Sequence, residues 1–107
     1  METKTNSNAR EALIFTEEEL KRIRKSKTKK GKMLVIVDLH GLQKKQAEKF
    51  IKNIIALNSE PFQMDIIHGY NHGTVLKDMV ETEKISKRVK AKIHPKDNLG
   101  MTRLIVA

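Results

Sequence analysis

The stretch Met33-Leu34-Val35-Ile36-Val37, followed directly by Asp38-Leu39-His40-Gly41, decides the fold of this chain. A continuous apolar run rich in β-branched residues predicts a strand buried on both faces, as strands of parallel sheets usually are. Because side chains alternate along a strand, Asp38 and His40 are expected to point the same way where the strand ends. Gly41 then allows the chain to turn sharply into the next element.

The rest of the chain supplies the other elements of a small α/β domain. Apolar residues recur at helical spacing over residues 42–58, which predicts an amphipathic helix. A second strand is predicted at Phe62–Ile67, and Thr74 is expected to cap a second helix. A strand with alternating polar and apolar residues is predicted at residues 88–93, and a final strand at residues 102–106. The order βαβαββ predicts a two-layer α/β domain with a four-stranded mixed sheet and two main helices, its first two strands parallel and its last pair antiparallel.

Composition favours an anionic partner and excludes several classes of protein. The 107 residues carry a formal charge of +9 and include no cysteine, so disulfides and thiolate metal sites are excluded. A charge of this size attracts polyanions. No apolar stretch approaches the roughly 18 residues of a membrane span, and Met1-Glu2-Thr3-Lys4 begins no signal region. We therefore expect a cytoplasmic protein that does not enter membranes.

The sequence divides into a basic N-terminal extension, residues 1–32, and an α/β domain, residues 33–107. Thr16 and Glu19 form a capping box, which predicts a helix over about residues 17–27. The extension is thus expected to be a helical or disordered arm, and it either contacts phosphates or is a solvated tail. Residues 21–32 contain eight basic residues and no acidic one: Lys21, Arg22, Arg24, Lys25, Lys27, Lys29, Lys30 and Lys32.

The candidate catalytic residues follow the two parallel strands. If these strands are neighbours, Asp38, His40 and His68 converge at the carboxyl edge of the sheet, where open α/β sheets bind ligands. Histidine can move a proton in either direction near neutral pH, and a carboxylate can orient it. On RNA, a base that activates the 2′-hydroxyl would allow cleavage without a metal. Alternatively, these three side chains ligate a divalent metal, or Asp38 only caps the helix and His40 is a turn residue.

The loop after His68 adds candidate nucleic-acid contacts. Tyr70 can stack on an unpaired base or cover the core, and His72 can contact phosphate or stay in solvent. Amides at the start of the second helix form an anion site, and Lys77 faces the same region. His94 is expected to be structural or inert. Besides the basic residues of the arm, the predicted nucleic-acid-binding set is Gly41, Gly69, Tyr70, Asn71, His72, Gly73, Thr74 and Lys77.

The ordered motifs Asp38-Leu39-His40-Gly41 and His68-Gly69, with the elements that flank them, resemble the Smr (small MutS-related) domain over about residues 33–107. The resemblance implies nucleic-acid binding and, in several members, nicking of DNA or endonucleolytic cleavage of RNA, in some cases on messages at stalled ribosomes. The family's two motifs correspond to Asp38, Leu39, His40 and Gly41, and to His68 and Gly69. The sequence departs from the second motif at Asn71, within a loop that is one residue longer.

Three functions are consistent with these residues. The first is an endonuclease or nickase of RNA or DNA that works through Asp38, His40 and His68 without a cofactor, a divalent metal not being indicated. The second is a binding module of the same fold that recognises nucleic acid or a ribosomal surface and does not cut. The third is an adaptor for a small phosphorylated ligand. The sequence does not indicate an oligomeric state.

Overall fold

A computed structural model describes residues 13–69 and 74–107 of the chain. In chain order, the elements of these segments are α1 (Glu17–Lys21), β1 (Ile23–Lys27), β2 (Met33–Asp38), α2 (Lys44–Leu57), β3 (Phe62–Ile67), α3 (Val75–Thr82), β4 (Val89–Ile93) and β5 (Met101–Val106). They form an α/β domain with one mixed sheet, as the sequence predicts. No helix in the described part of the chain is long and apolar enough to cross a membrane.

The strands lie in the order β1-β2-β3-β5-β4. Strands β2 and β3 are parallel, and α2 forms the crossover between them. Strand β5 pairs antiparallel with both β3 and β4. The predicted parallel pair and the predicted antiparallel last pair are therefore confirmed, and β2 and β3 end beside each other at the same edge of the sheet.

The sheet has five strands where the sequence predicted four, because part of the presumed arm is a strand. The predicted capping box is present at Thr16 and Glu19, but the helix ends at Lys21 and does not continue to residue 27. Residues Ile23–Lys27 pair antiparallel with β2 instead. This pairing satisfies backbone groups of β2 that an unpaired edge would leave exposed, which outweighs the weak helical preference of a short polar segment.

Helices α2 and α3 both cover one face of the sheet, and the core lies between these helices and the sheet. Strand β2 alternates: Val35 and Val37 are fully buried, whereas Leu34 and Ile36 on the other face are only partly buried. The predicted burial of this strand on both faces is therefore wrong, because the described helices pack on one side only. Phe15 also enters the core, with its ring edge against the ring of Phe50 at a centroid distance of 5.4 Å.

Candidate functional site

The side chains of Asp38 and His40 form a close pair where β2 ends. The ring Nδ1 of His40 lies 2.6 Å from Asp38 Oδ1, and the backbone amide of His40 donates to the same oxygen at 3.1 Å. With Nδ1 donating to the carboxylate, the neutral imidazole carries its free lone pair on Nε2. The His40 side chain is 69% exposed. The pair thus presents an oriented proton acceptor to solvent.

The turn after the strand holds this pair at the sheet edge. Leu39 is fully buried, and its amide donates to the carbonyl of Ile67 on the neighbouring strand at 2.8 Å. Gly41 has φ +83°, a left-handed conformation that favours glycine, as the sequence predicts. Helix α2 begins after Gln43 without a side-chain cap, so Asp38 does not cap it. The capping alternative for Asp38 is therefore excluded.

Arg22 stabilises the backbone of this turn through hydrogen bonds. Its Nη1 donates to the carbonyl of Asp38 at 3.1 Å and to that of His40 at 2.9 Å. Its Nη2 lies 3.4 Å from a carboxylate oxygen of Glu18, and the Arg22 side chain is only 17% exposed. From the sequence, Arg22 was predicted to contact phosphate. In the structure, its guanidinium donates hydrogen bonds to backbone carbonyls of the protein itself.

We expect Arg22→Ala to lower the free energy of unfolding by about 1–2 kcal/mol, because two backbone carbonyls lose a charged donor. Arg24→Ala is the matched control, since Arg24 is exposed on the neighbouring strand and its loss should change stability by less than about 0.5 kcal/mol. Urea titration of both variants measures the difference. Equal stabilities would contradict the role of Arg22 in holding the turn.

His68 is buried, and both of its ring nitrogens have partners. Only 6% of the residue is exposed. Nδ1 lies 2.9 Å from the carbonyl oxygen of Gly69, to which it can only donate, and Nε2 lies 2.8 Å from the Thr102 hydroxyl. The ring therefore fixes the peptide after β3 to strand β5, and no ring nitrogen points to solvent.

The contacts of His68 continue to the surface through α3. The Thr102 hydroxyl is 3.1 Å from Glu81 Oε2, and the same carboxylate forms an ion pair with His94. Thr102 is fully buried, whereas the His94 side chain is 45% exposed. The sequence treated His94 as structural or inert, and it did not single out Glu81 or Thr102. Only the fold reveals this series of contacts, because the four residues that form it come from distant segments of the sequence.

The three candidate catalytic residues share one edge of the sheet but not one face. Gly69 lies against His40, since a Cβ built on Gly69 would be 3.9 Å from His40 Cβ. Asp38 and His40 belong to the face away from the helices, however, and the His68 ring points to the helix-covered face and Thr102. The structure therefore brings Asp38 and His40 together and directs His68 elsewhere. In the described segments, no three His, Cys, Asp or Glu residues are grouped to hold a metal.

The predicted anion site at the second helix is described only in part. Tyr70, Asn71, His72 and Gly73 lie outside the described residues. Thr74 precedes α3, but its hydroxyl donates to Asp78 Oδ2 at 3.0 Å and caps no backbone amide, so the predicted cap is wrong. The carboxylate of Asp78, in the first turn of α3, accepts the hydrogen bond from this hydroxyl instead. Lys77 lies in the same first turn and is partly buried.

The basic side chains of the presumed arm lie along the side of the sheet formed by β1 and the connection to β2, which we call the basic edge. Lys21 is exposed in α1, and Arg24, Lys25 and Lys27 are exposed on the edge strand β1. The connection to β2 exposes Lys29, Lys30 and Lys32 and turns at Gly31, whose φ is +83°. These charges are thus held beside β2 by strand pairing.

Two further charged pairs lie near the site and were not predicted. Arg103 Nε donates to Asp65 Oδ1 at 3.0 Å, and this hydrogen bond raises the pKa of the Arg103 guanidinium. Lys44, at the start of α2, lies 2.6 Å from a carboxylate oxygen of Glu83, and that hydrogen bond raises the pKa of the lysine. Both cations are therefore engaged within the protein.

No family model matches the chain, and a search of curated proteins finds no match either. The resemblance to the Smr domain therefore stays a prediction that rests on the two glycine-bearing motifs and the order of the elements.

Proposed function

We propose that the chain is a Smr-like nucleic-acid-binding domain that cleaves phosphodiesters, RNA ahead of DNA, with Asp38 and His40 as its reacting pair. The observation that carries the proposal is the 2.6 Å contact between Asp38 Oδ1 and His40 Nδ1, on an exposed edge of a strongly basic protein. A histidine oriented by a carboxylate, with its second nitrogen open to solvent, is a common arrangement for moving a proton.

The proposed reaction on RNA uses the substrate's own hydroxyl. His40 Nε2 accepts the 2′-hydroxyl proton, and Asp38 stabilises the imidazolium that forms. The 2′-oxygen attacks the neighbouring phosphorus, the bond from phosphorus to the 5′-oxygen breaks, and the leaving oxygen takes a proton from water. The hydroxide that remains takes the proton from the His40 imidazolium and restores the neutral ring. The products are a 2′,3′-cyclic phosphate and a 5′-hydroxyl.

His68 has a different role in this proposal from the one predicted from sequence. Because both ring nitrogens are engaged, we assign His68 to holding the Gly69 peptide beside His40. The same observation favours a second candidate, a binding module that does not cut, since a His68 ring with both nitrogens engaged cannot supply the acid that protonates the leaving oxygen. Such a module would bind nucleic acid at the same end of the sheet, beside Asp38 and His40.

Incubation of the purified full chain with labelled single-stranded RNA, duplex RNA and duplex DNA, with and without chelator, separates the two candidates. Cleavage of RNA that persists in chelator supports the nuclease. Binding without cleavage of any substrate favours the binding module, and absence of both contradicts the proposed function.

The affinity for nucleic acid should depend strongly on salt. If about six of the exposed cations contact phosphates of duplex DNA, log affinity should fall against log salt with a slope near −5. Fluorescence anisotropy between about 50 and 200 mM salt measures this slope. A slope near zero would show that the basic edge makes no phosphate contacts.

A further inference from the structure

The face of the sheet away from the helices bears side chains in registered rows. In the row nearest the reacting pair, Asp38 is aligned with Ile67 and Ile67 with Met101. The next row aligns Ile36, Asp65 and Arg103, and the third aligns Leu34, Gln63 and Ile105. Five of these nine side chains are apolar, and the other four are Asp38, Gln63 and the ionic pair of Asp65 with Arg103.

Ile67 is the residue that most clearly indicates an exposed apolar surface on this face. It lies on the central strand β3, yet 38% of it is exposed, whereas its neighbour Ile66 is fully buried on the helix side. It is aligned with Asp38, so an exposed apolar surface adjoins the reacting pair. Together with the partly exposed Met101 beside it and Ile36 in the next row, Ile67 forms a contiguous apolar patch, and such a patch is suited to an apolar ligand group.

The polar residues in the middle of this face are satisfied by one another. Asp65 is only 7% exposed and accepts from Arg103 at 3.0 Å and from Gln63 at 3.0 Å. Asp65 is therefore neutralised, and Asp38 is the other carboxylate that these strands present on this face. On these three strands, Asp38 is thus the carboxylate that remains to oppose an anionic ligand, while Glu18 of the neighbouring α1 pairs with Arg22.

Positive charge borders the apolar rows on one side. Arg24 is aligned with Ile36 at the edge of the face, and the connection after β1 adds Lys29, Lys30 and Lys32. Those three lysines, with Gln63 and Ile105, line a cavity of about 610 Å³ at the end of the sheet opposite Asp38. The carboxylates of Glu48, Glu81 and Glu83 lie in or beside the helices that cover the other face.

From this arrangement we propose that the open sheet face binds single-stranded RNA, with unpaired bases on the apolar rows and phosphates along the basic edge. This inference rests on the proposed function and names its substrate class. Bases in a duplex are paired and stacked, so their faces cannot reach Ile67 and Met101, whereas single strands offer every base face. The bound RNA extends from the Asp38–His40 pair to the lysine-lined cavity. This distance is about 17–20 Å, the length of a six-residue β-strand.

The test measures binding of the full chain to a fluorescein-labelled single-stranded RNA and to a duplex of the same sequence, by anisotropy. The parent should bind the single strand at least about tenfold more tightly. Ile67→Ser should weaken single-strand binding about fivefold, the low end of what an aromatic side chain contributes by stacking on one base, because isoleucine offers apolar contact without a ring. Ile67→Phe supplies an aromatic face at the same position and should retain or raise the affinity.

Two matched controls locate the effect. Ile93→Ser removes the same side chain at similar exposure, 43%, on the same face, but on the far edge strand β4, where Ile93 is aligned with Arg103 and lies on the side away from β1. Because the proposed path follows the side of the face next to β1, this variant should change affinity less than about twofold. Lys29→Glu with Lys30→Glu should weaken binding strongly. Lys45→Glu with Lys49→Glu makes the same charge change on the exposed side of α2 and should weaken it far less.

The outcomes separate this inference from the function on which it rests. RNA cleavage that requires His40, together with equal or tighter duplex binding, would overturn the single-strand assignment and leave the nuclease proposal standing. Equal effects of Ile67→Ser and Ile93→Ser would also overturn it. If the parent binds no RNA at all, both fail. Selective loss in the Ile67 and Lys29/Lys30 variants supports the proposed path.

Discussion

His40→Ala is expected to lower the rate of RNA cleavage about 10²–10⁴-fold, the usual contribution of a positioned acid or base. The imidazole is 69% exposed, and among the described residues its ring hydrogen-bonds to Asp38. Its removal should therefore change the free energy of unfolding by about 1 kcal/mol or less. RNA affinity should change little, because the basic edge and the apolar rows remain. Cleavage rates and melting temperatures of purified variants measure both effects.

Two companion variants sharpen this expectation. Asp38→Asn keeps the shape of the side chain and removes the charge that stabilises the imidazolium, so it should also slow cleavage. His94→Ala removes another exposed histidine, outside the proposed reacting pair, and should leave the cleavage rate near that of the parent. A folded His40→Ala protein that cuts as fast as the parent would contradict the assignment of His40.

His68→Ala is expected to act on stability, lowering the free energy of unfolding by about 2–3 kcal/mol. The substitution empties a buried site, removes the hydrogen bond that the Gly69 carbonyl accepts from the ring, and leaves the Thr102 hydroxyl with Glu81 alone. For a domain of this size that corresponds to a fall in melting temperature of more than about 8 °C. Urea unfolding followed by circular dichroism measures it.

Thr102→Val tests the same contacts from the other side. It keeps the volume and removes the hydroxyl that joins His68 to Glu81, so it should cost about 1–2 kcal/mol. If His68→Ala proves as stable as His40→Ala, the structural role assigned to His68 is wrong.

The sequence predicted the α/β class because periodicity is strong where helices and strands are long. Residues 42–58 carry the apolar spacing of a helix, and Lys44–Leu57 is one. Strand β1 was missed because Ile23–Lys27 has one apolar residue, Ile23. Its strand conformation comes from pairing with β2, a tertiary effect that local propensity does not record. The same pairing places the basic residues beside the sheet.

The site was predictable only where it depends on local alternation. Asp38 and His40 are two residues apart, so a strand brings their side chains together, and the structure places them in contact. The direction of the His68 ring depends on Thr102 and Glu81, which are distant in sequence, and no local pattern reveals it. Arg22 lies within a basic run, which hides its hydrogen bonds to the turn.

The central claim, that the Asp38–His40 pair activates the 2′-hydroxyl of RNA, is tested most directly by identifying the ends that the full chain produces from single-stranded RNA in the presence of chelator. We expect 2′,3′-cyclic phosphate and 5′-hydroxyl ends, and no cut at a position whose 2′-hydroxyl is replaced by hydrogen. Cleavage at that deoxy position, or 5′-phosphate ends that disappear with chelator, would contradict the claim.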